Sequence, residues 1–339
     1  MARRRKKRTG RVPAKAGIAL VAATLAYSAL SIWFVHHPRE WLDEKCESLP
    51  RFATAALFFA GNPLGDITDA IGWTGHDVVY EYDTEAPSGE VLFAGAPRRV
   101  SSPAPEDIVT IQRGEFTIGW SPSLRHPVWV AYHVVPEAKY EAGERPKFQR
   151  DKEAPNSPKP GDYSKTSYDR GHMAPNYAIA TRYGAEAQAR TFFMGNIVPQ
   201  TPALNRGPWR EVEHRIADLW ARRWGEIWVI VGCYSGEGAC EILSGSDSID
   251  VPERFYQIVV AQDGMDVRAL AVDFPQGVDW REWPARCIVS IDELERRTGL
   301  DFLPDLPEFI ASPLEAELPT RLWPICLGDI FKMLGIHFK

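Results

Sequence analysis

Asp169-Arg170-Gly171-His172-Met173-Ala174-Pro175-Asn176 sets an acid, a guanidinium, a residue without a side chain and an imidazole in direct succession. A histidine titrates near neutrality, so it accepts a proton from water when held neutral, well aimed and close to a reacting group. Gly171 lets the backbone bend and an anion approach closely. Arg170 brings a permanent positive charge, and Asp169 a carboxylate able to orient a neighbour. Standing alone, a short polar run with one histidine describes a surface turn after a strand. What the octapeptide means depends on the rest of the chain.

Downstream, Phe192-Phe193-Met194 is a short apolar run before Gly195-Asn196-Ile197-Val198-Pro199-Gln200. Trp209, Val212, Ile216, Leu219 and Trp220 then recur at helical spacing and predict a helix over 209–220 with one buried stripe. Asn205 stands just before it, and Glu213 follows eight residues later, about 2.2 helical turns. An amide oxygen is a hard, neutral ligand suited to Mg²⁺, which keeps most of its waters. A carboxylate a turn or two away can hold one of those waters. Each residue also has an ordinary reading: Asn205 as a helix N-cap, Glu213 as a solvated helix position. The histidine run 33 residues before Asn205 makes the combination worth more than either alone.

At these residues the chain resembles the DNA/RNA non-specific endonucleases of the ββα-metal class. The resemblance rests on Asp169–Pro175, on Asn196–Gln200 with Leu204-Asn205, and on Trp209 and Glu213 at the family spacing. Trp129-Val130-Ala131-Tyr132 upstream and Ile291–Gly299 near the end add to it, so that it covers about residues 105–305. It implies an α+β fold in which a central antiparallel sheet is flanked by helices and carries a ββα metal finger. It further implies hydrolysis of DNA and RNA phosphodiester bonds to 5′-phosphate ends. His172 matches the general base, Asn205 the direct protein ligand of a single Mg²⁺ (Mn²⁺ being a substitute), and Glu213 the carboxylate orienting a metal-bound water. Arg170 matches the arginine near the phosphate. A further family arginine precedes the motif, and within Arg145-Pro146-Lys147-Phe148-Gln149-Arg150-Asp151 it falls on Arg145, with Arg150 as the alternative. Arg206 and Pro208 depart from the family pattern at the helix entry without removing a catalytic atom.

Two other readings stand beside this one: an exported, non-catalytic module that binds nucleic acid or protein, and a phosphodiesterase for another substrate. Charge bears on the first. Eight of the 39 Lys and Arg residues stand in residues 1–15, leaving 31 against 45 Asp and Glu. Bulk charge therefore does not coat nucleic acid here, and phosphate contacts must come from a local cleft. A homodimer is compatible with the sequence.

The basic residues 1–15 precede an uncharged run, Ala16–Val35. Twenty residues at about 1.5 Å rise span roughly 30 Å, the hydrocarbon thickness of a bilayer. Positive charge before the span favours a cytoplasmic N-terminus and export of the remainder. The reading is a signal anchor over 16–35, with a cleaved signal peptide or a mitochondrial presequence as rivals. Residues 36–104 form a juxtamembrane segment with a short apolar helix over 52–60, 105–305 the nuclease domain, and 306–339 a Pro-interrupted tail with apolar patches.

Strands are predicted over 77–82, 90–93, 116–120, 128–134, 226–232, 255–261 and 267–272, and a helix over 185–191. Residues 141–166 are polar and Pro-rich, a long loop of the kind that is commonly functional. Ser290 with Glu293 predicts a capping box. The five cysteines show no metal-ligand spacing. Cys233 and Cys240 flank a hairpin turn and are read either as a disulfide or as separate thiols. His133 reads as a core residue, His214 as a solvated helix residue, and His36 and His37 as interfacial.

Overall fold

The computed structural model describes Tyr80–Glu81 and residues 91–323, apart from 237–240, 244–248 and 264–265. The expected basic tail, the 16–35 span, the 52–60 helix, His36 and His37 lie outside these residues. No described helix is long and apolar enough to cross a membrane.

The β-branched, apolar runs form one antiparallel sheet. Its order from edge to edge is Tyr80–Glu81, Asp266–Pro275, Arg254–Asp263, Ile227–Tyr234, His126–Val134, Phe116–Ser121 and Val109–Gln112, with Ile288–Val289 also pairing to Asp266–Pro275. Every predicted strand from 116 onward is present and extends past at least one predicted end, because cross-strand pairing recruits polar flanks such as Arg254 and Asp273 that alternation alone does not flag. Residues 91–93 add no ladder strand. Phe93 is instead a buried core residue whose ring lies 5.5 Å from that of Trp228.

Alternation along the strands gives the sheet two apolar faces. Trp228, Ile230, Tyr256 and Ile258 face a core closed by Leu294 of the helix Ile291–Thr298 and by Ile310 and Leu314 of Glu308–Ala316. The expected tail thus begins with a helix packed on the domain. On the opposite face, Phe255 meets the Trp209 ring at 5.9 Å and Gln257 Nε2 donates to the Trp209 carbonyl at 3.3 Å. That contact docks the helix bearing Glu213 on the sheet.

The predicted 209–220 helix is built in three pieces: α-helix Pro208–His214, a π-helical stretch Arg215–Trp220, and α-helix Ala221–Trp224. Its buried stripe is as expected, with Trp209, Val212, Ile216, Leu219 and Trp220 all in the core. The capping box is half formed. Ser290 Oγ accepts from Glu293 N at 3.2 Å, whereas the Glu293 carboxylate turns to Arg296 and Arg297, whose guanidinium groups outcompete a backbone amide. Cys240 lies outside the described residues. Cys233 is a free, buried thiol donating to the Pro127 carbonyl at 3.2 Å.

Candidate active site

Asp169–His172 pairs antiparallel with Ile197–Gln200, setting Gly171 opposite Val198 and His172 opposite Ile197. A side chain at Gly171 has no room, since its Cβ would fall 2.0 Å from Gln200 Oε1. The two strands lead into Pro202–Arg206 and then Pro208–His214, which completes a β-β-α unit. Asn196 clamps the turn that follows His172: its Oδ1 accepts from Ala174 N at 2.8 Å, and its Nδ2 donates to the Ala174 and Thr191 carbonyls at 3.0 Å. A fully buried amide whose bonds are all to backbone is a positioning residue, and sequence inspection registers it only as a motif letter.

His172 is 9% exposed and sits among Phe148 and Phe192, with ring centroids 5.5 and 4.7 Å away. Its Nε2 is buried with no protein hydrogen-bond partner. Burial, aided by the Arg145 charge, pushes the imidazole down to about 3, so the ring is neutral at physiological pH. The same aromatic walls carry the two arginines. Arg145 lies 5.6 Å from the Phe192 centroid and Arg170 lies 5.1 Å from that of Phe148. Phe148 comes from the long 141–166 loop, which supplies the site with a wall as well as a charge.

Asn205 is not a helix cap. Thr201 caps Pro202–Arg206 through its side chain, and Asn205 lies inside that helix. Its Nδ2 donates to Asp169 Oδ2 at 2.9 Å. Arg206 closes on the same carboxylate in bidentate fashion at 2.8 and 2.7 Å. Burial alone would raise the Asp169 pKa, but the bonds from Arg206 and Asn205 outweigh it and hold the carboxyl below its usual range. Arg206, a departure at the helix entry, thus fixes the acid that orients Asn205.

Glu213 is not freely solvated either. Its Oε1 accepts from Trp209 Nε1 at 2.9 Å, one turn back on the helix. Burial pushes this carboxyl up to about 8, more than the Trp209 bond and the Arg210 charge pull it down. His172, Arg145, Arg170, Asn205 and Glu213 all line one cleft of about 1070 Å³. Arg150 lies outside that lining, exposed, with Nε on the Ser157 carbonyl at 3.1 Å.

Of the remaining histidines, His133 is buried and stacks on Trp228 at 4.9 Å, the core role expected of it. His214 is exposed but not merely solvated. It lines the cleft and its Nδ1 meets Asp218 Oδ2 at 2.7 Å.

The family model described as DNA/RNA non-specific endonuclease matches residues 95–309. The chain is 28% identical to "Nuclease EXOG, mitochondrial" of Xenopus laevis over 239 residues, 65% of this chain and 62% of that one. It is 30% identical to "Nuclease" of Nostoc sp. over 222 residues, covering 61% and 77%. Against "Endonuclease G, mitochondrial" of Homo sapiens it is 26% identical over 208 residues, covering 57% and 69%. The match therefore spans less than two thirds of the frog relative. Among solved structures, a chain of the EndoG/EndoGI complex shares the fold at a TM-score of 0.52 and 22% identity, over 59% of this chain and 87% of that one. With a matched region that takes in the sheet apart from its Tyr80–Glu81 edge, the β-β-α unit and the whole cleft, the chain belongs to the DNA/RNA non-specific endonuclease family.

Proposed function

We propose that this protein is a Mg²⁺-dependent endonuclease that hydrolyses DNA and RNA without regard to sugar and leaves 5′-phosphate ends. The observation that carries the reading is the neutral, partnerless Nε2 of His172 in the same cleft as an amide and a carboxyl suited to a hard cation. Asn205 commits its Nδ2 to Asp169, which leaves Oδ1 as a neutral oxygen donor, and Glu213 offers a carboxylate once deprotonated. Such a set suits Mg²⁺, or Mn²⁺ as a substitute, with water filling the remaining positions. When bound, the cation would polarise the phosphoryl oxygen and ease departure of the 3′-oxygen.

The chain's own groups do the rest. His172 Nε2 takes a proton from the attacking water, a contribution of about 10²–10⁴-fold. As water oxygen bonds to phosphorus, the bond from phosphorus to the 3′-oxygen breaks and the phosphate stays on the 5′ side. Arg145 and Arg170 bind the phosphate oxygens where negative charge builds. Glu213 orients a water at the cation site. None of these groups reads a base edge or requires a 2′-hydroxyl, in keeping with weak discrimination.

Incubation of the purified protein with plasmid and with RNA, in Mg²⁺ or in EDTA and beside His172→Ala, tests this. We expect Mg²⁺-dependent nicking that the variant loses by about 10²–10⁴-fold, and products that ligate without added phosphorylation. Equal cleavage by both proteins, or none by either, overturns the reading. We also propose that residues 16–35 anchor the protein with the domain exported, on the strength of the basic cluster before an uncharged twenty-residue run. Alkaline phosphatase fused after residue 40 should then be active, and an inactive fusion favours the mitochondrial alternative.

A further inference from the structure

One aromatic ring in the cleft has no part in the chemistry above. Tyr177 opens the helix Asn176–Tyr183 five residues after His172, lines the cleft, and leaves 46% of its surface exposed. A free tyrosine at a cleft wall would sample rotamers, but this one is tethered. Its hydroxyl donates to Asp218 Oδ1 at 3.0 Å, and the other oxygen of that carboxylate is taken by His214 Nδ1 at 2.7 Å. Asp218 belongs to the π-helical stretch Arg215–Trp220, so one carboxylate ties together two helices that bound the cleft. The hydroxyl's one donor is thereby occupied, and the largest surface the phenol still offers a ligand is its aromatic face.

We infer that Tyr177 is a stacking platform for a nucleobase of the substrate strand near the scissile phosphate, held in place by Asp218. The inference rests on the nuclease reading and names the part of the substrate that the cleft grips beyond the phosphate. A base has a π-face whatever its identity, so stacking adds affinity without sequence preference. Because the Asp218 bond fixes the ring before the strand arrives, little side-chain entropy remains to be lost on binding. Tyr177 and His172 line the same cleft, five residues apart in the chain, which places the base within a few nucleotides of the reacting phosphate. Arg145 and Arg170, two of the charged groups that line the cleft, supply the phosphate contacts that a stacked base alone lacks.

The test uses the full chain carrying His172→Ala, which traps uncleaved substrate, and a series of labelled oligonucleotides of the shortest length that still binds, so that the cleft holds them in one register, in which one abasic site moves stepwise along the strand. Affinity should drop at one abasic position. Adding Tyr177→Ala should weaken binding of the intact oligonucleotide roughly five- to hundredfold, and this penalty should vanish with the abasic site at that same position. Tyr177→Phe keeps the ring, loses the Asp218 bond, and should preserve the position dependence at lower affinity. Circular dichroism checks that each variant folds. Should Tyr177→Ala fail to fold, Tyr177→Leu, which keeps apolar bulk without a ring, takes its place in the same scan with the same expected result. A scan with no sensitive position, or a penalty equal at every position, overturns the platform in favour of a tether between helices. No binding of any oligonucleotide sinks the nuclease reading itself.

Discussion

At the scale of single residues, the site is organised by who holds whom. Asp169 makes no proposed contact with substrate, yet it receives Asn205 Nδ2 and both arms of Arg206. By taking the Asn205 Nδ2 it leaves the Asn205 Oδ1 as the end of the amide for the proposed cation. Partners that orient a metal-binding side chain typically contribute 10- to 100-fold in metal affinity. Asp169→Ala should therefore raise the Mg²⁺ concentration for half-maximal activity by about that factor. Activity at saturating Mg²⁺ should recover most of its value. A variant with unchanged Mg²⁺ dependence would remove Asp169 from this role. His172, Asn205 and Glu213, which line one cleft, stood out in the sequence because the chemistry proposed for each restricts its residue type at a characteristic spacing, whereas Arg145 was chosen over Arg150 only by resemblance and is the one of the two that lines the cleft. Phe148 and Phe192 were not, although they set the burial of His172. Any large apolar side chain in the chain looks like core until its neighbours are known.

At the scale of elements, the strand pair and the interrupted helix each answer to one local feature. The pair Asp169–His172 and Ile197–Gln200 closes only because position 171 lacks a Cβ. Gln200 is fully buried, so it has nowhere to retreat. Gly171→Ala should cost about 1–3 kcal/mol of stability by overpacking, read from chemical denaturation, with loss of activity as His172 shifts. Unchanged stability would mean that Gln200 repacks freely. The π-helical stretch has a different consequence. In a π-helix, residues five apart are joined by one turn, whereas in an α-helix they lie about 140° apart around the axis. Arg215–Trp220 thus helps bring Asp218 to the cleft that Glu213 also lines. Helical periodicity located this segment and its buried stripe but not the widened turn, because the apolar stripe recurs at α-helical spacing through it.

At the scale of the whole molecule, the balance of protons couples the cleft to the stability of the domain. Glu213 titrates at about 8 in the fold against 4.5 as an ordinary carboxyl, so the folded state holds a proton that the unfolded state has lost between those values. Stability linked to this group is fully present below about 4.5 and declines as pH rises through 8. Without metal, Glu213→Gln should therefore gain in thermal midpoint over the parent as pH rises from about 5 to about 8. A constant difference across that range would show that Glu213 titrates normally. The core sheet was legible from runs of β-branched residues. The partners of its flanks were not, because register and cross-strand neighbours are long-range facts.

The sheet also divides the domain into a working side and a back. The cleft-bearing helix docks on one face through Trp209, while Ile291–Thr298 and Glu308–Ala316 cover the other. A protein that shuts this enzyme off by sitting in the way of substrate has to approach from the working side. A binder raised against the 291–316 surface leaves the entrance clear, which makes that surface the natural handle for immobilising the enzyme without silencing it.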